Sequence, residues 1–272
     1  MSGGAAADRL RVIVKLGGSV LTRKREVERL RPKVLSRLAR ELVAEPPGNL
    51  VLVHGAGSFG HPGAQRFGLA LPPGTGTDGP HRARGAAIVS AEVRRLHVAV
   101  LRALVDAGGS PWSIPAATHA RNAAGALAQF DADPFRDALE RGLLPVSFGD
   151  VVPDEEWGSS ILSADTIALA LVPVLHPARV IFVSDVPGIL EGSSRGRRSI
   201  ASEVTEEVVE RLTSTPGAPD VTGGIRGKAK VMRAIARAGS DAGLISGLTD
   251  GALLRAIRGE FVYGSWAHAG TG

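Results

Sequence analysis

The chain has 272 residues, 44% of them hydrophobic, which suffices for one sizeable α/β domain or two closely joined lobes with a buried core. Zero cysteines exclude disulfides, thiol nucleophiles and any Cys-ligated zinc or iron–sulfur centre. A balance of 32 Lys+Arg against 27 Asp+Glu gives +5 with the arginines spread along the chain, and aromatics are only 4%, which favours a solvated surface and an anionic small substrate over nucleic acid.

The N-terminal MSGGAAADRL has no apolar segment of signal-peptide type before its first charges, and no stretch reaches the roughly 20 apolar residues that span a bilayer. No membrane partner is expected, and a cytoplasmic location is the default. RVIVKLGG (11–18) reads as a buried strand ending in a Gly-Gly turn. Gly17 and Gly18 allow close approach of backbone to a bulky anion, the following N–H groups can donate to phosphate oxygens, and Lys15 and Lys24 flank the turn. Taken alone, such a turn is more often just a tight turn, and its spacing matches neither a P-loop nor a dinucleotide fingerprint.

A helical pattern at about 27–44 leads to a second buried strand, LVLVHGAG (50–57). It runs into HGAGSFGH (54–61), which packs three glycines, a serine and two imidazoles into eight residues. His61, after the Gly-rich turn, can donate to an anion, whereas His54, nearer the strand body, reads as structural. The Gly- and Pro-rich stretch 62–82 is expected to be a long irregular loop or lid. Helical patterns follow at 83–107 and 133–141, then a strand at 143–150 (LLPVSFGD) that Asp150 closes.

Ser163 and Asp165 stand where the helix 163–175 begins. Either could merely be a cap, and Ser163 reads as one, while a carboxylate at 165 could hold two lysine ammonium groups in place and keep them charged. The second half brings a strand and turn (RVIFVSDVPG, 179–188), a loop (EGSSRGRR, 191–198), DVTGGIRGKAKV (220–231) with Lys228 at a predicted helix start, a helix at 225–238 and a strand at 242–247. Strands alternating with helices predict a mainly parallel sheet covered on both faces, with ligands beyond the carboxyl ends of the strands. A soft boundary near 175–180 divides the chain into 1–176 and 177–272 without separating independent domains.

KLGGSVLTRK, HGAGSFGH, SDVPGIL and DVTGGIRGK, in this order between residues 15 and 228, resemble the amino acid kinase superfamily. The terminal histidine of HGAGSFGH and the lysine at 24 are similar to the isopentenyl phosphate kinase branch and the related fosfomycin kinases. The resemblance implies a three-layer α-β-α sandwich of the amino acid kinase fold, a homodimer, and ATP with Mg²⁺ as cofactors.

It further implies that Lys15, Gly17, Gly18 and Ser19 meet the ATP phosphates and that Lys24 and Lys228 stabilise the transferring group while Asp165 organises the lysines. Ala56, Gly57, His61, Gly149 and Asp150 would surround the acceptor phosphate, with Gly57 also toward the nucleotide. Asp185, Pro187, Gly188, Ile189 and Gly223 would lie on the nucleotide side, residues 1–176 forming the acceptor lobe and 177–272 the nucleotide lobe. Three positions depart from the family pattern: Ala56 adds a methyl to HGGG, Thr166 replaces an acid of SGDD, and Pro187 removes a carboxylate and an N–H from SDVDGI.

The implied reaction is ATP-dependent phosphorylation of isopentenyl phosphate. A phosphate acceptor is already anionic near neutral pH, so no general base is required, and the demand is for cations and oriented donors. Ile88, Val89, Val93 and Leu96 on the helix 83–107 are the expected wall for a hydrocarbon tail, although core packing explains the same residues. A different acceptor such as fosfomycin, or a nucleotide-sensing module without catalysis, is the alternative.

Overall fold

The computed structural model describes residues 11–23, 26–75, 79–192, 198–214 and 224–270. The chain opens with β1 (Val12–Leu16), α1 (Gly18–Leu21), α2 (Pro32–Val43), β2 (Leu50–His54), α3 (His61–Arg66) and α4 (Pro80–Asp106). There follow β3 (Pro111–Ser113), β4 (Ala120–Ala123), β5 (Ala126–Phe130), α5 (Asp133–Glu140), β6 (Leu144–Phe148), β7 (Asp150–Asp154), β8 (Gly158–Leu162) and α6 (Ala164–Leu175). The remainder is β9 (Arg179–Ser184), β10 (Leu190–Gly192), β11 (Arg198–Ile200), α7 (Glu206–Ser214), α8 (Gly224–Arg237), β12 (Asp241–Ser246), α9 (Ala252–Arg258) and β13 (Gly264–Ala267).

Seven strands form one sheet in the order β13-β12-β9-β1-β2-β6-β3. All neighbours are parallel except β13, which runs antiparallel to β12. The period-2 alternation of side chains sorts this sheet into two cores. Val12, Val14 and Leu16 pack with Leu38 and Leu42 of α2, Leu96 and Val100 of α4, and Leu253 of α9. Ile13 faces the other way, toward Phe135 of α5, Ile167 and Leu171 of α6, and Met232 and Ile235 of α8. Helices therefore cover both faces, as the strand–helix alternation predicts. Lys15 shares parity with Ile13, so β1 directs it to the face covered by α6 and α8.

Several boundaries differ from the sequence reading. The expected irregular stretch 62–82 is shorter, because His61–Arg66 is helical and α4 already begins at Pro80. Pro62 and Pro80 sit in the first turn of their helices, where a missing N–H breaks no intrahelical bond. The helix expected from 27 starts at Pro32, since an antiparallel bridge between Thr22 and Leu30 holds the preceding residues in a turn. The strand ending at Asp150 divides at Gly149: β6 stays in the main sheet, while β7 joins the four-stranded sheet β5-β4-β7-β8. The division near 175–180 falls between α6 and β9, and β9 pairs with β1 from Val12↔Arg179 to Leu16↔Val183, so both halves share one sheet.

Candidate active site

Beyond the carboxyl ends of β1, β2, β6 and β9 lies a cleft of about 1070 Å³. That volume is at the upper end for a single small-ligand pocket and suits two ligands side by side. Asp165 lines it from the first turn of α6. Ser163 caps that helix by accepting from the Thr166 N–H at 3.0 Å, and a carboxylate at such an N-terminus is favourably placed. Thr166, at the position of a family acid, is thus engaged in the cap, its hydroxyl 2.8 Å from Ser163 Oγ.

Two cations share Asp165. Lys15 Nζ lies 2.7 Å from Oδ1 and Lys228 Nζ 2.7 Å from Oδ2, and all three side chains are largely buried. Burial alone would push the Asp165 carboxyl up, but the two ammonium groups outweigh it and hold the group well below the usual carboxylate range. Lys228 is lowered to about 8 by burial and by Lys15, against the opposing pull of Asp165. It also sits over the Phe182 ring, 5.0 Å from its centroid. Phe182 is opposite Lys15 in the β1–β9 register, so strand alternation and α8 bring both lysines to one face. One carboxylate between two ammonium groups leaves a net positive charge facing the cleft, suited to a polyanion.

The glycine loops close on each other. A Cβ at Gly18 would fall 2.2 Å from the Gly57 nitrogen, and Gly57 itself has φ +52 with Thr22 Oγ1 and the Gly18 carbonyl against it. Thr22 is the link between them, its hydroxyl donating to the Gly18 carbonyl at 2.8 Å and accepting the Ser58 N–H at 3.0 Å. Gly17 donates to the Val183 carbonyl at 2.7 Å, which fixes the first loop to β9. These glycines are required first for backbone packing between loops. The same packing turns both loops into the floor of the cleft, lined by Gly17, Gly18, Ser19, Ala56 and Gly57.

On one flank, His61 at the start of α3 lines the cleft with Gly60, Gly149 and Asp150. The Ala56 methyl is part of this wall, and a Cβ at Gly60 would come within 2.5 Å of it. Of the expected tail wall, Val89 and Val93 line the cleft; Leu96 is in the core and Ile88 does not line the cleft. Asp150 is wholly buried and held by Arg94 of α4, with Nη2 2.9 Å from Oδ2 and Nη1 3.1 Å from Oδ1. Arg94 carried no sequence signal.

On the other flank, Asp185 accepts from Ser19 Oγ at 2.6 Å and from Ser184 Oγ at 3.3 Å. Gly188 lines the cleft with Asp185, and the apolar residues Leu190, Leu212 and Ile225, unremarked in the sequence, extend this side. Ile189 corrects an expectation: its side chain is fully buried in the core and its N–H donates to Ser265 Oγ at 2.8 Å, so it does not line the cleft. Lys24 and Gly223 lie outside the described residues. His54 is structural as read, buried and 3.0 Å from His97.

No group of three or more His, Cys, Asp or Glu suited to a resident metal occurs among the described residues. Each carboxylate of the cleft is already engaged, Asp150 by Arg94, Asp165 by two lysines and Asp185 by hydroxyls.

Residues 10–245 match the family model described as the Amino acid kinase family. An isopentenyl phosphate kinase of Methanothermobacter thermautotrophicus is 33% identical over 262 residues, covering 93% of this chain and 97% of the relative. One from Arabidopsis thaliana is 27% identical, covering 92% and 91%. Among solved structures, one titled "X-ray structures of isopentenyl phosphate kinase" superposes with a TM-score of 0.82 at 30% identity, covering 94% of this chain and 99% of that one.

Proposed function

The chain belongs to the amino acid kinase family, and from that premise we propose that it transfers the γ-phosphoryl group of ATP to isopentenyl phosphate, yielding isopentenyl diphosphate and ADP. One observation carries the reading: Lys15 and Lys228 share the Asp165 carboxylate in a cleft that His61 and Asp185 also line. Two polyanions repel each other, and cations fixed at their junction lower that cost most where charge gathers in the transition state.

In this reading a non-bridging oxygen of the acceptor phosphate attacks the γ-phosphorus in line. The bond from the γ-phosphorus to the β,γ-bridging oxygen breaks, and the electron pair leaves with ADP. No proton need be removed from a dianionic acceptor. Gly18 and Ser19 present N–H groups to the nucleotide phosphates, Gly17 allows their close approach while its own N–H stays bonded to the Val183 carbonyl, and Lys15 and Lys228 face the transferring group. Asp165 holds both ammonium groups in position. His61, with the backbone of Ala56 and Gly57, holds the acceptor phosphate against the wall that Gly149 forms, and Val89 and Val93 border its hydrocarbon tail. Residues 1–176 then supply the acceptor side, while Asp185, Gly188 and the rest of 177–272 supply the nucleotide side. Mg²⁺ arrives as part of the nucleotide substrate, where it neutralises phosphate charge, since the cleft carboxylates are committed to other partners.

The enzyme works in the cytoplasm, where ATP is available, and as a homodimer. Support for the dimer comes from Val98 and Val105, two turns apart and exposed on α4, beside the exposed Trp112 of the edge strand β3. The substrate assignment is tested by acceptor-dependent ADP release with isopentenyl phosphate, dimethylallyl phosphate, fosfomycin, acetylglutamate and UMP. Highest kcat/KM for isopentenyl phosphate is expected. Preference for fosfomycin would reassign the acceptor, and ATP binding without ADP release on any of them would reduce the chain to a nucleotide sensor.

A further inference from the structure

The acceptor flank contains a contradiction in charge. An anionic phosphate is to be held beside Gly149 and His61, yet the next residue, Asp150, places a carboxylate in the lining of the same cleft. Its side chain is fully buried, so water does little to screen it. Arg94 answers that charge with a hydrogen bond from Nη1 to Oδ1 at 3.1 Å and an ion-pair contact of Nη2 with Oδ2 at 2.9 Å. Oδ1 accepts further from the Val151 N–H at 2.8 Å, which ties the carboxylate to the first step of β7.

Arg94 is held from behind. Its guanidinium donates to the Ser90 carbonyl at 2.9 Å and to Ser90 Oγ one turn earlier on α4, and it lies over the Phe148 ring at 5.7 Å. Phe148 and Asp150 flank Gly149, so Arg94 grips the residues on either side of it. Gly149 has little room to move, because its N–H donates to the His54 carbonyl at 2.9 Å and an added Cβ would meet the Ala164 nitrogen at 3.1 Å. Arg94 is 40% exposed and does not itself line the cleft, so it acts through Asp150.

We propose that Arg94 is a positioning residue for the acceptor phosphate: it cancels the Asp150 charge and fixes the Gly149–Asp150 corner against which the phosphate sits. The inference rests on the assignment of this flank to a phosphate acceptor. Removing one partner of a buried charge pair leaves the other uncompensated, whereas removing both restores neutrality. A strut with no electrostatic role would instead be damaged further by the second change.

The test compares wild type with Arg94→Met, Arg94→Lys, Asp150→Asn and the double variant Arg94→Met/Asp150→Asn, measuring KM for isopentenyl phosphate and for ATP separately. In Arg94→Met the acceptor KM is expected to rise about 30-fold with the ATP KM within about 2-fold, and the double variant to recover to within about 5-fold of wild type. Arg94→Lys keeps the charge without the fork and should fall between, which settles the matter even if Arg94→Met does not fold. An unchanged acceptor KM in Arg94→Met, or in Arg94→Lys where that alone folds, overturns the inference, as does a double variant worse than either single one. Wild type that releases no ADP with isopentenyl phosphate instead overturns the assignment of the acceptor, and the inference with it.

Discussion

Lys228 has to be a cation to serve a phosphoryl group, yet burial and Lys15 bring its pKa down from 10.5 to about 8. The sign follows directly: the useful form is the protonated one, so kcat/KM for ATP is expected to fall as pH rises through about 8 in the free enzyme. Bound triphosphate favours the ammonium form, so kcat alone should hold to higher pH. Asp165 raises the Lys228 pKa, so Asp165→Asn should shift the fall to lower pH and cut kcat by about 100-fold, the scale of losing one preorganised electrostatic contact. Coincident pH–rate profiles for wild type and Asp165→Asn would contradict this assignment. Although a carboxylate at a helix start could equally have been a cap, the pairing of Asp165 with lysines was readable in sequence from its setting among glycine loops bearing lysines. Arg94 was not, because it is one cation among many and its partner Asp150 is 56 residues away. Ile189 misled because its side chain turns into the core, while Asp185, Gly188 and Leu190 of the same SDVPGIL segment reach the cleft.

Between β2 and α4, His54 and His97 form a buried pair with Nε2 to Nδ1 at 3.0 Å. His97 Nε2 continues to Ser113 Oγ at 2.7 Å, and His54 Nδ1 faces the Gly55 carbonyl at 3.2 Å. Nδ1–H on both rings lets each neutral imidazole donate once and accept once. Burial is the first cause holding their pKa values at about 4 and about 3; Lys15 adds to it for His54, and for His97 both His54 and Arg94 do. Both folded values lie below the ordinary 6.5, so the unfolded chain binds more protons, and stability is present in full above about 6.5 and lost as pH falls toward 4. Urea unfolding at pH 7 and pH 5 should show a loss of about 2 kcal/mol per histidine, with a smaller loss in His97→Gln. Equal stability at the two pH values would refute the buried neutral pair. The five main strands and the long helices were legible because their alternation and period are set by burial on two faces. The sheet β5-β4-β7-β8 was not, since ARNA and ALAQF carry weak strand preference and become strands through pairing with each other and with β7.

At the scale of the molecule, one sheet presents the carboxyl ends of β2 and β6 on one side of β1 and that of β9 on the other, so the cleft that holds the lysine pair is lined from both sides. Light scattering should give about twice the chain mass of 28.1 kDa, and Trp112→Glu should lower it toward one chain; a monodisperse wild-type monomer would remove the homodimer. The central claim, transfer from one phosphate to another, is tested most directly by following a mixture of enzyme, MgATP and isopentenyl phosphate by ³¹P nuclear magnetic resonance. The monophosphate singlet is predicted to give way to the paired doublets of a diphosphate in step with ADP. Persistence of that singlet while ATP is stable, or while ATP yields only inorganic phosphate, would contradict the account.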